Sequence, residues 1–343
     1  MGKRVEKSRR RRKLHPGRTI RLVLVIAVLI AGVVLLFNAC TGDKDPSDGG
    51  NDTVQNDVQT DNGQTGSDTA GNNGQQEETP PPVEPDPYEG YEILTMTEAD
   101  MHAGELILVS NAVPYVFPEG GEEELVTVMS AKNLSYMSKD YETSVLPVTV
   151  EHLNDMMKAF TDQGGSVTVM VVSGYRTYDY QQGLFDRSAA RNGLEHAKRF
   201  VAQPGGSEHH TGYAVDLWST TANDYFEGVG EYKWVTDNCH NYGFILRYTS
   251  DKEEFTQIGP ESWHFRYIGV PHSNLVVENG FCHEEYMAYL KQYPFEGEHL
   301  SYTLNATEYE IYYAAGLEVP VPQEGDYTVS GNNEDGFIVT VTK

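Results

Sequence analysis

Two short stretches hold the side chains that could act together chemically. Ser207-Glu-His-His-Thr-Gly-Tyr-Ala-Val-Asp216 offers imidazoles and a carboxylate. Glu261-Ser-Trp-His-Phe-Arg-Tyr267 adds another imidazole and a spare carboxylate. Hydrolytic zinc sites use this set: three protein ligands, an open fourth position for water, and a base beside it. His209 and Asp216 lie seven residues apart, with Gly212 between them to allow a turn. A loop would supply the histidine and the following strand the carboxylate. His264 would be the third ligand and Glu261 the base. In a regular strand positions i and i+3 face opposite sides, so the Glu261–His264 stretch must turn locally to serve one metal. Read singly these residues say little. The chain has eleven histidines, His210 could replace its neighbour as ligand, and Asp216 could be a turn residue.

The elements that must position this set read as a mixture of helices and strands. Val167 to Val172 is an apolar, β-branched run ending at Ser173-Gly-Tyr-Arg176. Before it, Leu153, Met156, Met157 and Phe160 fall at i, i+3, i+4 and i+7. That spacing predicts a helix over about 150–162, with Thr149 as N-cap and Gly164-Gly165 as the stop. Helices are expected over 178–190, 194–201 and 232–242, and strands over 213–218 and 244–248. In the 213–218 strand, Ala214 and Asp216 share one face and Val215 and Leu217 the other. Two short helices follow residue 267, the second near 284–292. Leu106 to Val109 reads as a short buried strand. From Ser301 onwards, β-prone runs alternate with Gly/Pro/Asn turns, which predicts a small all-β appendage over 300–343.

The chain of 343 residues carries a net charge of −26, unevenly spread. Residues 1–21 hold ten Lys/Arg against the single Glu6, a net of +9, so the rest of the chain carries −35. A body so acidic argues against nucleic-acid binding, which relies on Lys and Arg to neutralise phosphates. Residues 22–40 form an apolar stretch close to the ~20 residues that cross a bilayer as a helix. With the basic flank held in the cytoplasm, this predicts a signal anchor with everything after it outside. The alternative is a cleaved lipoprotein signal with a lipid on Cys40. Residues 41–87 are polar and end in Thr79-Pro-Pro-Pro82, a linker composition that cannot bury enough apolar surface to fold. The anticipated domain therefore spans 88–299. Cys239 and Cys282 could pair in an oxidising compartment or remain separate buried thiols. No obligate protein partner is evident.

Three motifs in order, Ser173-Gly-Tyr-Arg-Thr177, Ser207-x-His209-x-x-Gly212-x-Ala214-x-Asp216 and Glu261-x-Trp263-His264-x-Arg266-Tyr267, resemble the VanY-type D-alanyl-D-alanine carboxypeptidases. The resemblance spans about Tyr88 to Tyr293. It implies an α+β fold shared with the hedgehog signalling domain, with a central, mostly antiparallel sheet and flanking helices. It implies zinc on His209, Asp216 and His264, and Glu261 as general base. Arg176 would stabilise the oxyanion or anchor the substrate carboxylate, and Ser207, Gln181 and Trp263 would line the substrate pocket. His210 departs from the family, where Gln is usual, which bears on the polarity of the neighbouring pocket. The implied substrate is the peptidoglycan stem peptide, trimmed of its terminal D-alanine. An L,D-carboxypeptidase acting on tetrapeptide stems is the alternative within the enzyme class. A non-catalytic wall-binding module with structural zinc is the alternative outside it, although such a module has no need of Glu261.

Overall fold

The computed structural model describes residues 88–221 and 224–343. The basic segment, apolar stretch and linker expected within 1–87 lie outside the described residues. Among those described, no helix is long and apolar enough to cross a membrane.

The site is carried by a six-stranded sheet. Its path runs Met137–Ser138, Val169–Ser173, Ala214–Ser219, Glu261–Tyr267, Phe244–Tyr248, with Asp224–Tyr225 pairing on Ala214–Ser219. The first pair is parallel and the others antiparallel. Alternation along the strands sorts side chains between two faces. Val169, Val171, Val215, Leu217 and Phe265 face the helix Pro147–Asp162, whose Leu153, Met156, Met157 and Phe160 are all but fully buried. Each such side chain contributes roughly 1.5–3 kcal/mol on leaving water. Asp216 lies on the opposite face, paired in register with His264 of the neighbouring strand.

That helix begins three residues earlier than its N-cap signal suggests. Leu146 caps it, Pro147 opens it, and Thr149 lies inside. A proline's missing N–H costs nothing in the first turn. The Thr149 hydroxyl is spent elsewhere, donating to Gly212 O at 3.0 Å and so tying the helix to the loop that carries the histidines. The helices Tyr178–Asn192 and Leu194–Phe200 and the helical stretch 230–242 form where periodicity places them.

Leu106 to Val109 is buried but pairs in no sheet. Its backbone groups find other partners. Leu106 N–H donates to Ser330 Oγ, Leu108 N–H to Asn332 O, and Ile107 O accepts from Arg266 Nη2. The apolar content was legible, whereas the partners come from distant segments.

The C-terminal region forms an antiparallel sheet in the order Leu300–Leu304, Thr307–Ala315, Gly336–Thr342, Asp326–Gly331. It is laced into the rest of the fold. Glu318–Pro322, which the sequence did not mark, pairs with Tyr91–Thr95 at the start of the described chain. Leu300, Ile311 and Ile338 share one core with Leu106, Ile245, Leu275 and Tyr286. The described residues fall within a single compact unit, with shared core and strand pairing running across residue 300. Cys239 and Cys282 are buried free thiols.

Candidate functional site

The first donor comes from a short helical turn, Glu208–Thr211, zipped to the 174–176 loop by three hydrogen bonds. His209 Nδ1 lies 2.6 Å from Gly174 O, Arg176 N–H donates to His209 O at 3.0 Å, and His210 Nδ1 lies 2.7 Å from Arg176 O. Gly212 then turns the chain at φ 76°, a left-handed conformation that favours glycine, and the strand carrying Asp216 begins.

A carbonyl only accepts, so His209 must carry its proton on Nδ1 and present a lone pair on Nε2. Burial, helped by the Arg176 charge, pushes the imidazole down to about 4 and keeps it neutral. Its Nε2 faces Asp216 Oδ1 at 3.2 Å. Burial opposes ionisation of that carboxylate, but the Arg176 charge and the bond from His264 outweigh it and hold its pKa well below the usual value. Two acceptors therefore face each other, an arrangement that a cation between them resolves. His264 Nδ1 approaches the same oxygen at 3.1 Å. The three donor atoms lie within 4.8 Å of one another. Tetrahedral zinc with bonds near 2.0–2.1 Å separates its ligands by roughly 3.3 Å, so the two distances to Asp216 suit such an ion.

His264 is oriented by a residue the sequence reading passed over. Its Nε2 lies 3.2 Å from Glu208 Oε2. Glu208 is fully buried, yet it is held ionised against that burial by Arg247 and Arg266. Arg247 Nε donates to Glu208 Oε1 at 2.7 Å, and its terminal nitrogens donate to both oxygens of Glu284. A carboxylate on the far nitrogen fixes the ring and leaves Nδ1 toward Asp216. Burial works to lower the His264 pKa, but its bonds to Asp216 and Glu208 prevail and hold it up at about 9. One signal was available in the sequence: arginines inside the apolar strands Phe244–Tyr248 and Glu261–Tyr267 imply a buried counter-charge.

Glu261 stands beside the set, its Oε2 3.9 Å from His264 Nδ1. The local irregularity expected there is present: Leu246 opposes Phe265, but Tyr248 opposes Glu261, so the Glu261–Tyr267 strand carries extra residues in between. This bulge brings positions i and i+3 to the same side. Burial pushes the Glu261 carboxyl up to about 7, with Asp216 and Glu208 adding and His264 and Arg176 opposing.

Arg176 completes the cluster. Its Nη2 donates to Asp216 Oδ2 at 2.5 Å, Nε to Ser173 Oγ at 3.0 Å and Nη1 to Gln181 Oε1 at 3.3 Å. Gln181 is anchored in turn on Ala202 O. All eight residues singled out in the sequence line one cleft of about 400 Å³: Arg176, Gln181, Ser207, His209, Asp216, Glu261, Trp263 and His264. Trp263 packs on Tyr225 there, centroids 4.5 Å apart. His210 is the correction. Its Nε2 accepts from Gly205 N–H, and its ring faces Phe117 in a separate cavity. It therefore changes the polarity of that cavity and not of the cleft, and it is placed to hold the Arg176 loop.

Two histidines and a carboxylate bring their donor atoms together, with a spare carboxylate and an arginine beside them, a set of the kind that holds a metal ion. The family model for VanY, D-alanyl-D-alanine carboxypeptidase, matches residues 142–270. A D-alanyl-D-alanine carboxypeptidase of Enterococcus faecium is 35% identical over 260 residues, which cover 72% of this chain and 78% of that protein. The bifunctional D-Ala-D-Ala dipeptidase and D-Ala-D-Ala carboxypeptidase VanXYC of Enterococcus gallinarum is 36% identical over 159 residues, covering 45% of this chain and 82% of that one. Among solved structures, the vancomycin resistance D,D-dipeptidase VanXYg, in complex with a D-Ala-D-Ala phosphinate analogue, superposes with a TM-score of 0.66 at 29% identity. That match covers 74% of this chain and 99% of that one. The chain belongs to the VanY family of D-alanyl-D-alanine carboxypeptidases.

Proposed function

We propose that the chain is a zinc-dependent carboxypeptidase that removes the terminal D-alanine from peptidoglycan stem peptides outside the cytoplasm. The observation that carries this reading is the convergence of His209 Nε2 and His264 Nδ1 on Asp216 Oδ1, with Glu261 and Arg176 flanking. The names of the relatives supply the substrate class. The apolar 22–40 composition and the polar 41–87 composition support the location, through a signal anchor or a lipid on Cys40.

His209, Asp216 and His264 would hold the metal. Zinc bound there supplies a Lewis acid and lowers the pKa of a coordinated water. Glu261 takes the proton from the attacking water and returns it to the departing amine. Burial favours its taking up the proton, and the neighbouring positive charges favour its release. Arg176, steered by Ser173 and Gln181, places a positive charge where the carbonyl oxygen becomes negative or where the substrate carboxylate ends. Ser207 and Trp263 shape the cleft around the terminal residue. Glu208 keeps the His264 ring in place.

The test incubates the protein with pentapeptide and tetrapeptide stems, with and without a chelator, and weighs the products. Loss of one alanine from the pentapeptide, abolished by chelation and restored by zinc, is expected. Cleavage of the tetrapeptide alone would move the assignment to L,D-carboxypeptidase. One bound zinc with no cleavage of any stem would leave a binding module.

A further inference from the structure

The cleft has a second end that the mechanism does not use. One stripe of the helix Tyr178–Asn192 lines it from Gln181, beside Arg176, through Leu184 to Arg187 and Arg191. The last two stand at i and i+4, one turn apart on one face. Among the described residues neither makes an ion pair or a side-chain hydrogen bond. That is unusual charge placement in a chain of 51 acidic and 25 basic residues, ten of the basic ones lying within residues 1–21. Among the described residues the only acids lining the cleft are Asp216 and Glu261, both beside His209 and His264. The helix also makes room for this arrangement. A Cβ on Gly183 would meet Arg187 Nη1 at 2.9 Å, so the guanidinium lies back along the helix over a residue that has no side chain. Glycine is a poor choice inside a helix, and here it leaves space for the charge.

We infer that Arg187 and Arg191 form an anion subsite for a carboxylate on the body of the substrate peptide, upstream of the bond that is cut. The subsite rests on the carboxypeptidase reading above and adds the chemical class that reading leaves open. At 1.5 Å per residue, the stripe puts the two arginines about 9–15 Å along the helix from Gln181. An extended peptide advances about 3.3 Å per residue, so the recognised carboxylate belongs roughly three to five residues before the scissile bond. Both arginines are solvent-exposed, so their attraction acts on encounter and binding, weakens with salt, and leaves the chemical step alone.

The test uses the full zinc-loaded protein and N-acetylated hexapeptides ending in D-Ala-D-Ala. The other residues are uncharged, with a single Glu, or Gln in its place, at the third or fourth position before the scissile bond. Wild-type protein should prefer the Glu peptide by roughly tenfold in kcat/KM at low salt, through KM. The preference should fade as salt rises. The Arg187→Gln/Arg191→Gln double variant should lose the preference while keeping kcat, and Arg187→Lys/Arg191→Lys should retain part of it. Equal wild-type rates on both peptides, or an equal loss on both in the double variant, would overturn the subsite while leaving the peptidase reading intact. Failure of the wild-type protein to cut any of the peptides would overturn both.

Discussion

The cleft and the C-terminal sheet are built from opposite materials. Around the cleft, Glu208, Asp216, Arg247, His264 and Arg266 are all buried, and the chain is committed to partnering their charges. In the C-terminal sheet the buried positions are mainly Ile311, Tyr312, Phe337, Ile338, Val339 and Val341. Many apolar side chains of similar volume would serve there, whereas a charge removed from the cleft leaves another one stranded in low dielectric. One region specifies individual atoms, the other specifies shape and volume. Substitutions should separate the two: cleft variants lose chemistry, and sheet variants lose stability. The largest separation is expected for Glu261→Gln, which should cut kcat by roughly 10²–10⁴-fold while zinc content and melting temperature hold. Near wild-type turnover in that variant would remove Glu261 from the role of base.

Glu208→Ala should blur the comparison, because this residue serves both chemistry and packing. Losing the carboxylate frees the His264 ring, and zinc affinity should fall about 10–100-fold. It also takes the carboxylate partner from Arg266 and the acceptor from Arg247 Nε, although Arg247 keeps Glu284, and this loss should cost about 3–5 kcal/mol of stability. Competition titration against a chromogenic chelator reads the first effect and denaturant unfolding of metal-free protein the second. Unchanged zinc affinity would mean that Glu208 only neutralises the two arginines.

The contrast also explains what was legible in the sequence. Asp216 and His264 could be read because each alternates with apolar neighbours on a strand and falls within a motif of fixed spacing. Glu208 lay within the same motif but could not be read, since its partners Arg247 and His264 are 39 and 56 residues away. His210 was visible as a departure from the family pattern, but its direction was not, because adjacent residues on a tight helical turn can face different cavities. The β character of the tail followed from composition. Its pairing with Tyr91–Thr95 did not, because Glu318-Val-Pro-Val-Pro322 contains two prolines and looks like a breaker. A two-stranded edge pair tolerates prolines that lack a ladder donor.

On the side of the C-terminal sheet, Ile338→Ala should behave oppositely to Glu261→Gln. Ile338 is 1% exposed in the core shared by the tail sheet and the helices 272–290. Truncating it should cost about 2–5 kcal/mol, read as a lower denaturation midpoint. The kcat/KM measured well below that midpoint should stay within twofold. A large loss of activity in the folded variant would show that the sheet supports the cleft as well as the fold.

The smallest effect tests the seam between the regions. His272 is buried between them, its Nδ1 2.7 Å from Tyr286 Oη and its Nε2 3.0 Å from Thr340 Oγ1 in the C-terminal sheet. Burial, with His283 nearby, pushes its pKa down to about 3 from the usual 6.5. Above pH 6.5 the ring is neutral in both folded and unfolded chains and contributes no pH dependence. As pH falls below 6.5, the unfolded chain takes a proton that the folded one refuses, and folding weakens until the pH passes below about 3. The slope from this one ring is about 1.4 kcal/mol per pH unit. Unfolding free energies of metal-free protein between pH 7 and 4 should therefore fall less steeply in His272→Gln, by close to that slope, even if the variant starts out less stable. Parallel pH profiles for the two proteins would mean that His272 already carries its proton in the folded chain, and that the seam is held by charge after all.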